Sequence, residues 1–215
     1  MLTDTERAAF LESAQKVERL AFAALDAAEG VDSAVAFIGN LHRSIDQVVV
    51  RAAQAGPVPD CKAGCAYCCR VRVSATDPEV FRIARRLRAL PPPELERLIE
   101  RLREHVARRQ ASAIDLSIDC SFLVAGRCSI YEVRPAACRK AHSLSVKRCE
   151  TLAAEIPQNL KVVAEAEALM AGVSAAYLRA HLPSSEHELN AAVLAVLEDP
   201  SIEQRWYRGE PALGA

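Results

Sequence analysis

The sequence predicts a mostly α-helical protein in which helical, bundle-like arms surround a compact, irregular, cysteine-rich metal-binding core. Two observations support this fold class. Apolar residues recur at helical spacing near both ends of the 215-residue chain. All eight cysteines fall between residues 61 and 149, several of them in turn-rich sequence rather than in amphipathic repeats.

The N-terminal quarter predicts two helices. Thr3 and Glu6 form a capping-box pattern at the start of the first helix, which is expected to end at Gly30. A second amphipathic helix starts two or three residues later and completes an αα-hairpin. The hairpin is expected to stop within residues 56–60, Gly-Pro-Val-Pro-Asp, because proline breaks helices.

The middle of the chain predicts two further helices after a short extended segment at 71–73. The third helix is expected to start at Asp77, as its N-cap, followed by Pro78 at its first position. It runs to three prolines at 91–93, and the fourth helix follows from Glu94 to about residue 110.

After the fourth helix the pattern becomes irregular. Residues 111–135 form a short segment of mixed composition that is rich in turn residues, and helix is expected again near Pro135. A long C-terminal helix over 160–180 and a last one ending at Asp199 complete the secondary structure, and the tail from Arg208 is expected to fray. The chain therefore divides into three segments that are expected to form one globular unit: an N-terminal helical hairpin (1–55), a cysteine-cluster core with inserted helices (56–150) and C-terminal helices (151–215).

Composition excludes several functional classes. Lys and Arg number 27 against 28 Asp and Glu, so no global field favours nucleic acid or an anionic membrane. Aromatic residues make up only 5% of the chain, too few for a stacking platform. The charged N-terminus does not look like a secretory signal, and no apolar run is long enough to span a membrane. A cytoplasmic location is therefore expected, where thiols stay reduced and clustered cysteines favour metal over disulfides.

Four of the cysteines lie within nine residues, in the run CKAGCAYCC. Cys61, Cys65 and Cys68 have the spacing i, i+4 and i+7, so a helical turn would direct three thiolates to one side. Cys69 would then point about 100° away from Cys68, and it could ligate a second ion, bridge two ions or belong to the other half of the core. If the segment is a loop instead, Gly64 allows a tight turn.

The other four cysteines are spread out: Cys120, Cys128, Cys138 and Cys149. No two of them form a Cys-x-x-Cys knuckle, so they can converge only through tertiary structure, which is consistent with a site shared with the first group. Eight thiolates could serve two Cys₄ zinc ions, one iron–sulfur cubane with spare ligands, or a polynuclear Cu(I) site. His142, four residues after Cys138, is a candidate substitute ligand.

The two cysteine blocks resemble a known family. CKAGCAYCC fits a Cys-x-x-x-Cys-x-x-Cys-Cys signature, and CSFLVAGRCSIYEVRPAACRK fits its companion block. Together they resemble the YkgJ-like cysteine-cluster family, described as zinc- or iron-chelating proteins. The resemblance implies metal ligation by seven cysteines, with Cys149 in a looser part of the signature: Cys61, Cys65, Cys68, Cys69, Cys120, Cys128 and Cys138.

These observations predict a cytoplasmic metal-ion binding protein without a nucleic-acid partner. Zinc is the simplest ion for a thiolate site, and the sequence contains no nucleotide loop or catalytic triad, so a non-catalytic role is expected. One alternative is an iron–sulfur protein that acts in electron transfer or as an enzyme component. Another is a protein that handles Cu(I) or zinc and releases the ion in function.

Overall fold

A computed structural model describes residues 3–62, 64–111 and 118–214. Residues 112–117 of the irregular stretch predicted over 111–135 lie outside the described residues, as do the ends of the predicted terminal segments at 1–2 and 215. No helix in the described ranges is both long and apolar enough to cross a membrane.

The protein is mostly α-helical, as predicted. The helices are α1 (Asp4–Asp26), α2 (Gly30–Ala55), α3 (Asp77–Arg88), α4 (Pro92–Ala111), α5 (Ala136–Lys140), α6 (Val146–Glu150), α7 (Leu160–Arg179), α8 (Leu189–Glu198) and α9 (Ser201–Tyr207). Two 3₁₀ helices cover Tyr67–Arg70 and Tyr131–Val133. Short antiparallel strands form two pairs, β1 (Ser74–Thr76) with β4 (Glu186–Glu188), and β2 (Leu123–Val124) with β3 (Arg127–Cys128).

Helix α7 lies at the centre of the helical packing. It contacts α1 along most of its length and also packs against α2 and α5. The sequence suggested α2 as the neighbour of α1, whereas the main partner of α1 is α7. The aromatic centre of the core consists of the rings of Phe81 on α3, Tyr177 on α7 and Trp206 on α9. The ring centroids of Phe81 and Trp206 are 5.0 Å apart, and those of Tyr177 and Trp206 are 6.2 Å apart. All three side chains are buried.

The start of α1 is confirmed in detail. The Thr3 side chain accepts the N–H of Glu6, and the Glu6 carboxylate accepts the N–H of Thr3, which is the reciprocal capping box. The predicted boundary at Gly30 is shifted, because α1 ends at Asp26 and Gly30, with a φ of 80°, is the first residue of α2.

The start of α3 differs from the prediction by one residue. Thr76, not Asp77, is the N-cap, and it forms a capping box with Glu79. Asp77 is buried and used elsewhere: its carboxylate accepts the N–H of Ser185 at 2.7 Å and lies 3.3 Å from Nε2 of His187. These bonds attach β4 to the start of α3. The Asp77 side chain therefore makes a tertiary contact instead of the helix cap that the sequence predicted.

Three C-terminal and extended features also depart from expectation. The strand near 71–73 lies instead at Ser74–Thr76 and pairs with β4, a partner that the sequence did not suggest. The last helix was expected to end at Asp199, but a further helix, α9, follows it at Ser201–Tyr207. The tail beyond Arg208 was expected to fray, but Leu213 is buried in the core.

Candidate metal centre

The first cysteine cluster lies in a loop followed by a 3₁₀ helix. Cys61 and Cys65 lie in irregular backbone on either side of Gly64, whose φ of 86° favours glycine. The N–H of Cys65 donates to the carbonyl of Lys62 at 2.9 Å and closes the turn. Cys68 and Cys69 lie in the 3₁₀ helix Tyr67–Arg70. The prediction that the cluster lies on an α-helix is therefore wrong, and the alternative prediction, a loop with a turn at Gly64, is confirmed.

A backbone hydrogen bond joins the two cysteine groups directly. The N–H of Cys120 donates to the carbonyl of Cys69 at 2.8 Å. Cys120 leads into the β2–β3 hairpin, in which Leu123 pairs with Cys128. Asn190 on α8 secures this region, because its Oδ1 accepts the N–H of Ser121 at 3.1 Å and lies 3.8 Å from Sγ of Cys120.

Cys61 is held by a different segment of the second group. The N–H of Ser143 donates to Sγ of Cys61 at 3.2 Å, and the N–H of Asp60 donates to the carbonyl of Ser143 at 2.9 Å. The Asp60 carboxylate in turn accepts the N–H of Val146 at 3.1 Å, at the start of α6. Helix α6 carries Cys149 and packs against the 3₁₀ helix of the first cluster.

Three other thiols contribute to the pKa of Cys61. Burial raises the pKa of Cys61, the N–H of Ser143 lowers it, and the thiols of Cys65, Cys68 and Cys149 raise it further, so that the net shift is upward. Cys61 and Cys68 are the two exposed cysteines, and the other six are partly buried.

The thiols on the hairpin side form a second neighbourhood. Burial raises the pKa of Cys120 to about 11, and the thiol of Cys128 contributes to this rise. Burial also raises the pKa of Cys138, with further contributions from Cys120, Cys68 and Cys128. The thiols of Cys120, Cys128 and Cys138 therefore lie close enough to interact, although they come from a loop, a strand and α5.

The adjacent residues Cys68 and Cys69 lie between the two neighbourhoods. The hydrogen bond from the thiol of Cys69 lowers the pKa of Cys68 to about 6. The same hydrogen bond raises the pKa of Cys69, and burial and the thiols of Cys120 and Cys128 raise it further. Of this pair, Cys68 is therefore the thiol that ionises first.

The donor set fits a thiophilic metal. All eight cysteines are free thiols, and at least one receives an N–H···S hydrogen bond of the kind that supports metal-bound thiolates. Within the described ranges, however, no three or more Cys, His, Asp or Glu side chains are already arranged to hold an ion. The thiols are thus brought into the same region without converging on one point, and side-chain movement would have to accompany coordination.

The hydrogen bonds of His142 are those of a structural side chain, not of a metal ligand. It is buried, Nδ1 lies 2.8 Å from the carbonyl of Lys140, and Nε2 accepts the N–H of Asn159 at 2.8 Å. Because Nε2 accepts a hydrogen bond, Nδ1 must carry the proton and donate it to Lys140. Both ring nitrogens are engaged by the backbone, so the side chain joins the α5–α6 connection to the start of α7.

Two buried charged residues, Glu79 and Arg139, support α5, the helix that carries Cys138. Neither was assigned to the site from the sequence. The Glu79 carboxylate accepts the N–H of Ala136, the first residue of α5, at 2.6 Å and lies 3.0 Å from Nε2 of His42. Burial opposes ionisation of Glu79, but its hydrogen bonds, led by that of His42, leave its pKa lowered. The capping pattern of Thr76 with Glu79 was visible in the sequence, although its link to α5 was not.

Arg139 is the second supporting residue. Its Nε donates to the carbonyl of Arg134 at 2.9 Å and its Nη2 to that of Glu132 at 2.6 Å. Its Nη1 lies 2.5 Å from the Asp46 carboxylate on α2. Together these bonds fix α5 against the preceding 3₁₀ turn.

Comparison with protein families agrees with the motif. Residues 60–160 match the CxxCxxCC family, described as a "putative zinc- or iron-chelating domain". This segment is therefore similar to that family over slightly less than half of the chain. It contains all eight cysteines, and the match supports metal binding by this domain. No curated protein and no solved structure matches the chain.

Proposed function

We propose that the protein binds zinc through clustered cysteine thiolates and that this role is non-catalytic. The observation that carries the proposal is the gathering of eight free thiols from separated segments into one region of the fold. The proposed ligands are Cys61, Cys65, Cys68, Cys69, Cys120, Cys128, Cys138 and Cys149.

The chemistry of the donor set favours zinc. Thiolate sulfur is a preferred zinc ligand, and structural zinc sites built from four thiolates need no other donor. Bound zinc would replace thiol protons and hold the ligand-bearing loops together. The elevated pKa values of Cys120 and Cys138 mean that binding there must release protons. Free thiols are maintained in reducing compartments, which supports a cytoplasmic location.

Because the thiols do not already converge, ligand binding and local ordering would be coupled. In such sites the metal-binding free energy contributes directly to folding, by roughly 10–16 kcal/mol for structural zinc in small domains. A substantial part of the stability of the cysteine core would then depend on the ion. This dependence separates a structural role from adventitious binding.

Iron is the second candidate, because the family description covers iron as well as zinc. Thiolate ligands also hold iron–sulfur clusters, and such a protein would be brown when purified without oxygen. Colour and elemental content therefore distinguish the two candidates in one preparation.

The test is elemental analysis of anaerobically purified protein, followed by thermal unfolding with and without a chelator. We expect a colourless, zinc-containing protein whose chelated form loses several kcal/mol of unfolding free energy. The Cys65→Ser variant should be destabilised similarly, whereas Ser129→Ala, at an exposed position next to Cys128, should behave as wild type. Stoichiometric iron with sulfide would favour the second candidate. A protein without either metal, or with equal melting in both forms, would reject the proposal.

A further inference from the structure

Glu79 is a buried carboxylate on α3, and its hydrogen bonds reach the helix that carries Cys138. We propose that Glu79 is a positioning residue for metal binding. By fixing the start of α5, it holds Cys138 in place before a metal arrives. This inference rests on the proposed metal binding, and it holds whichever thiols share an ion with Cys138.

Four contacts occupy both oxygens of the Glu79 carboxylate. Oε1 accepts the N–H of Ala136 at 2.6 Å and lies 3.0 Å from Nε2 of His42 on α2. Oε2 accepts the N–H and the hydroxyl of Thr76 at 2.9 and 3.0 Å. An ionised carboxylate only accepts hydrogen bonds, so His42 is the donor in its contact. One buried side chain therefore joins α2, the start of α3 and the start of α5.

Helix α5 depends on such contacts because it has only five residues. A helix of this length is not stable alone in water. Its own bonds include those from the N–H groups of Cys138 and Arg139 to the carbonyl of Pro135, at 2.9 and 3.1 Å. The bond from Ala136 to Glu79 attaches this first turn to the helical core, two residues before Cys138.

The other end of α5 is attached by separate contacts. Arg139 donates to two backbone carbonyls and pairs with Asp46 on α2. Lys140, the last residue of α5, forms an ion pair with Glu167 on α7. Cys138 is therefore anchored on both sides in the chain, whereas the exposed Cys61 lies in a loop.

Anchoring of a ligand affects affinity directly. A side chain that is already held in place loses little conformational freedom when it binds, so less of the binding free energy is spent on ordering the chain. Residues that orient metal ligands typically change metal affinity by about 10–100-fold when they are replaced. Without the Glu79 carboxylate, metal binding would also have to order the start of α5.

The experiment compares the zinc affinity of full-length wild type, Glu79→Leu and Thr76→Val under conditions in which all three are folded. Zinc is titrated against bound Co²⁺, which replaces zinc and reports thiolate ligation by its absorption. Glu79→Leu should bind zinc about 10-fold or more weakly. Thr76→Val is the matched control, because it removes a bond to the same carboxylate but keeps the bond to Ala136. It should lower the denaturant midpoint and leave the zinc affinity unchanged.

Thiol labelling gives a second readout that a loss of stability alone would not produce. In the metal-free proteins, iodoacetamide should label Cys138 faster in Glu79→Leu than in wild type. Cys149, on α6, serves as the internal control and should be labelled at the same rate in both. Unchanged labelling of Cys138 would contradict the positioning role.

The outcomes separate the two proposals. A wild type that binds no zinc would overturn the proposed function, and this inference with it. If the wild type binds zinc and Glu79→Leu binds it equally well, or if Thr76→Val loses as much affinity, Glu79 acts on stability alone. Should Glu79→Leu fail to fold, hydrogen exchange of the metal-free wild type decides. We expect a protected Ala136 amide, and exchange at the rate of an unfolded segment would show that α5 is not fixed before metal binds.

Discussion

His142 shows at the level of a single residue how hydrogen bonding distinguishes a support from a ligand. Its spacing from Cys138 made it a candidate ligand, but Nε2 accepts an N–H and Nδ1 faces a carbonyl. The partner of Nε2, Asn159, is 17 residues away in the chain. Sequence spacing carries no information about such a bond. The sequence could therefore mark His142 as a candidate ligand, but it could not show that the side chain binds the backbone instead.

Replacing His142 with alanine should therefore lower stability without lowering metal content. The substitution leaves the Asn159 N–H and the Lys140 carbonyl without their partner, at a cost of about 1–3 kcal/mol for buried groups. Chemical denaturation measures the stability, and elemental analysis measures the ions per chain. Cys138→Ser is the matched comparison and should lose metal. Loss of an ion in His142→Ala at temperatures where the variant is folded would restore His142 as a ligand.

Among the cysteines, the sequence predicted the turn in the first cluster but not which thiols are neighbours in the fold. The run from Cys61 to Cys69 identified thiophilic chemistry and allowed for a turn at Gly64, which the structure adopts. The neighbours of each thiol depend on bonds such as that from Ser143 to Cys61, across a separation of 82 residues. Cysteine spacing alone cannot encode contacts between segments so far apart.

At the level of elements, the contact between α1 and α7 depends on one small residue. A Cβ on Gly172 would lie 2.5 Å from the carbonyl oxygen of Ala14 and 2.6 Å from Cβ of Val17. Both atoms belong to α1. The first is a backbone atom and the second is bonded directly to the backbone, so neither can move away by a side-chain rotation. The amphipathic pattern predicted both helices, but a single glycine in α7 gave no sign of which helix approaches it.

Substitution of Gly172 by alanine should separate α1 from α7 and destabilise the protein. Overpacking of this kind typically costs about 1–3 kcal/mol, which outweighs the gain of up to about 1 kcal/mol from the higher helix propensity of alanine. Gly39→Ala in α2 is the control, because its new Cβ would meet the flexible guanidinium of Arg82. Denaturant midpoints of both variants test this. If Gly172→Ala is as stable as Gly39→Ala, the close approach of the two helices is not rigid.

The short strands mark the limit of element prediction. Strands β1 and β4 have three residues each and pair across about 110 positions, as Ser74 with Glu188 and Thr76 with Glu186. Three residues are too few to show an alternating pattern, and the helices around them dominate the local signal. The same pairing explains the shifted start of α3, because Asp77 bonds to the segment that leads into β4.

For the whole molecule, the buried core argues for cooperative folding of all three predicted segments. The Tyr177 hydroxyl on α7 donates to the carbonyl of Ala34 on α2 at 2.8 Å, which joins the last segment to the first. Arg85 on α3 forms an ion pair with the buried carboxylate of Glu203 on α9, which joins the middle segment to the last. Apolar side chains from all three segments belong to one buried cluster. We therefore propose that residues 1–55, 56–150 and 151–215 unfold as one unit.

The single tryptophan makes this proposal measurable. Trp206 is buried on α9, and its indole N–H donates to the carbonyl of Pro183 at 2.7 Å, so its fluorescence reports the last segment. Thiolate-to-Co²⁺ absorption reports the middle segment, and circular dichroism reports the helices of all three. We expect the three signals to change at the same denaturant concentration, because no part of a cooperative unit stays folded after the rest has unfolded. Cys65→Ser should move the fluorescence and dichroism midpoints down together, although Cys65 and Trp206 lie in different segments. A fluorescence midpoint that does not move in this variant would show that the C-terminal helices fold independently of the metal core.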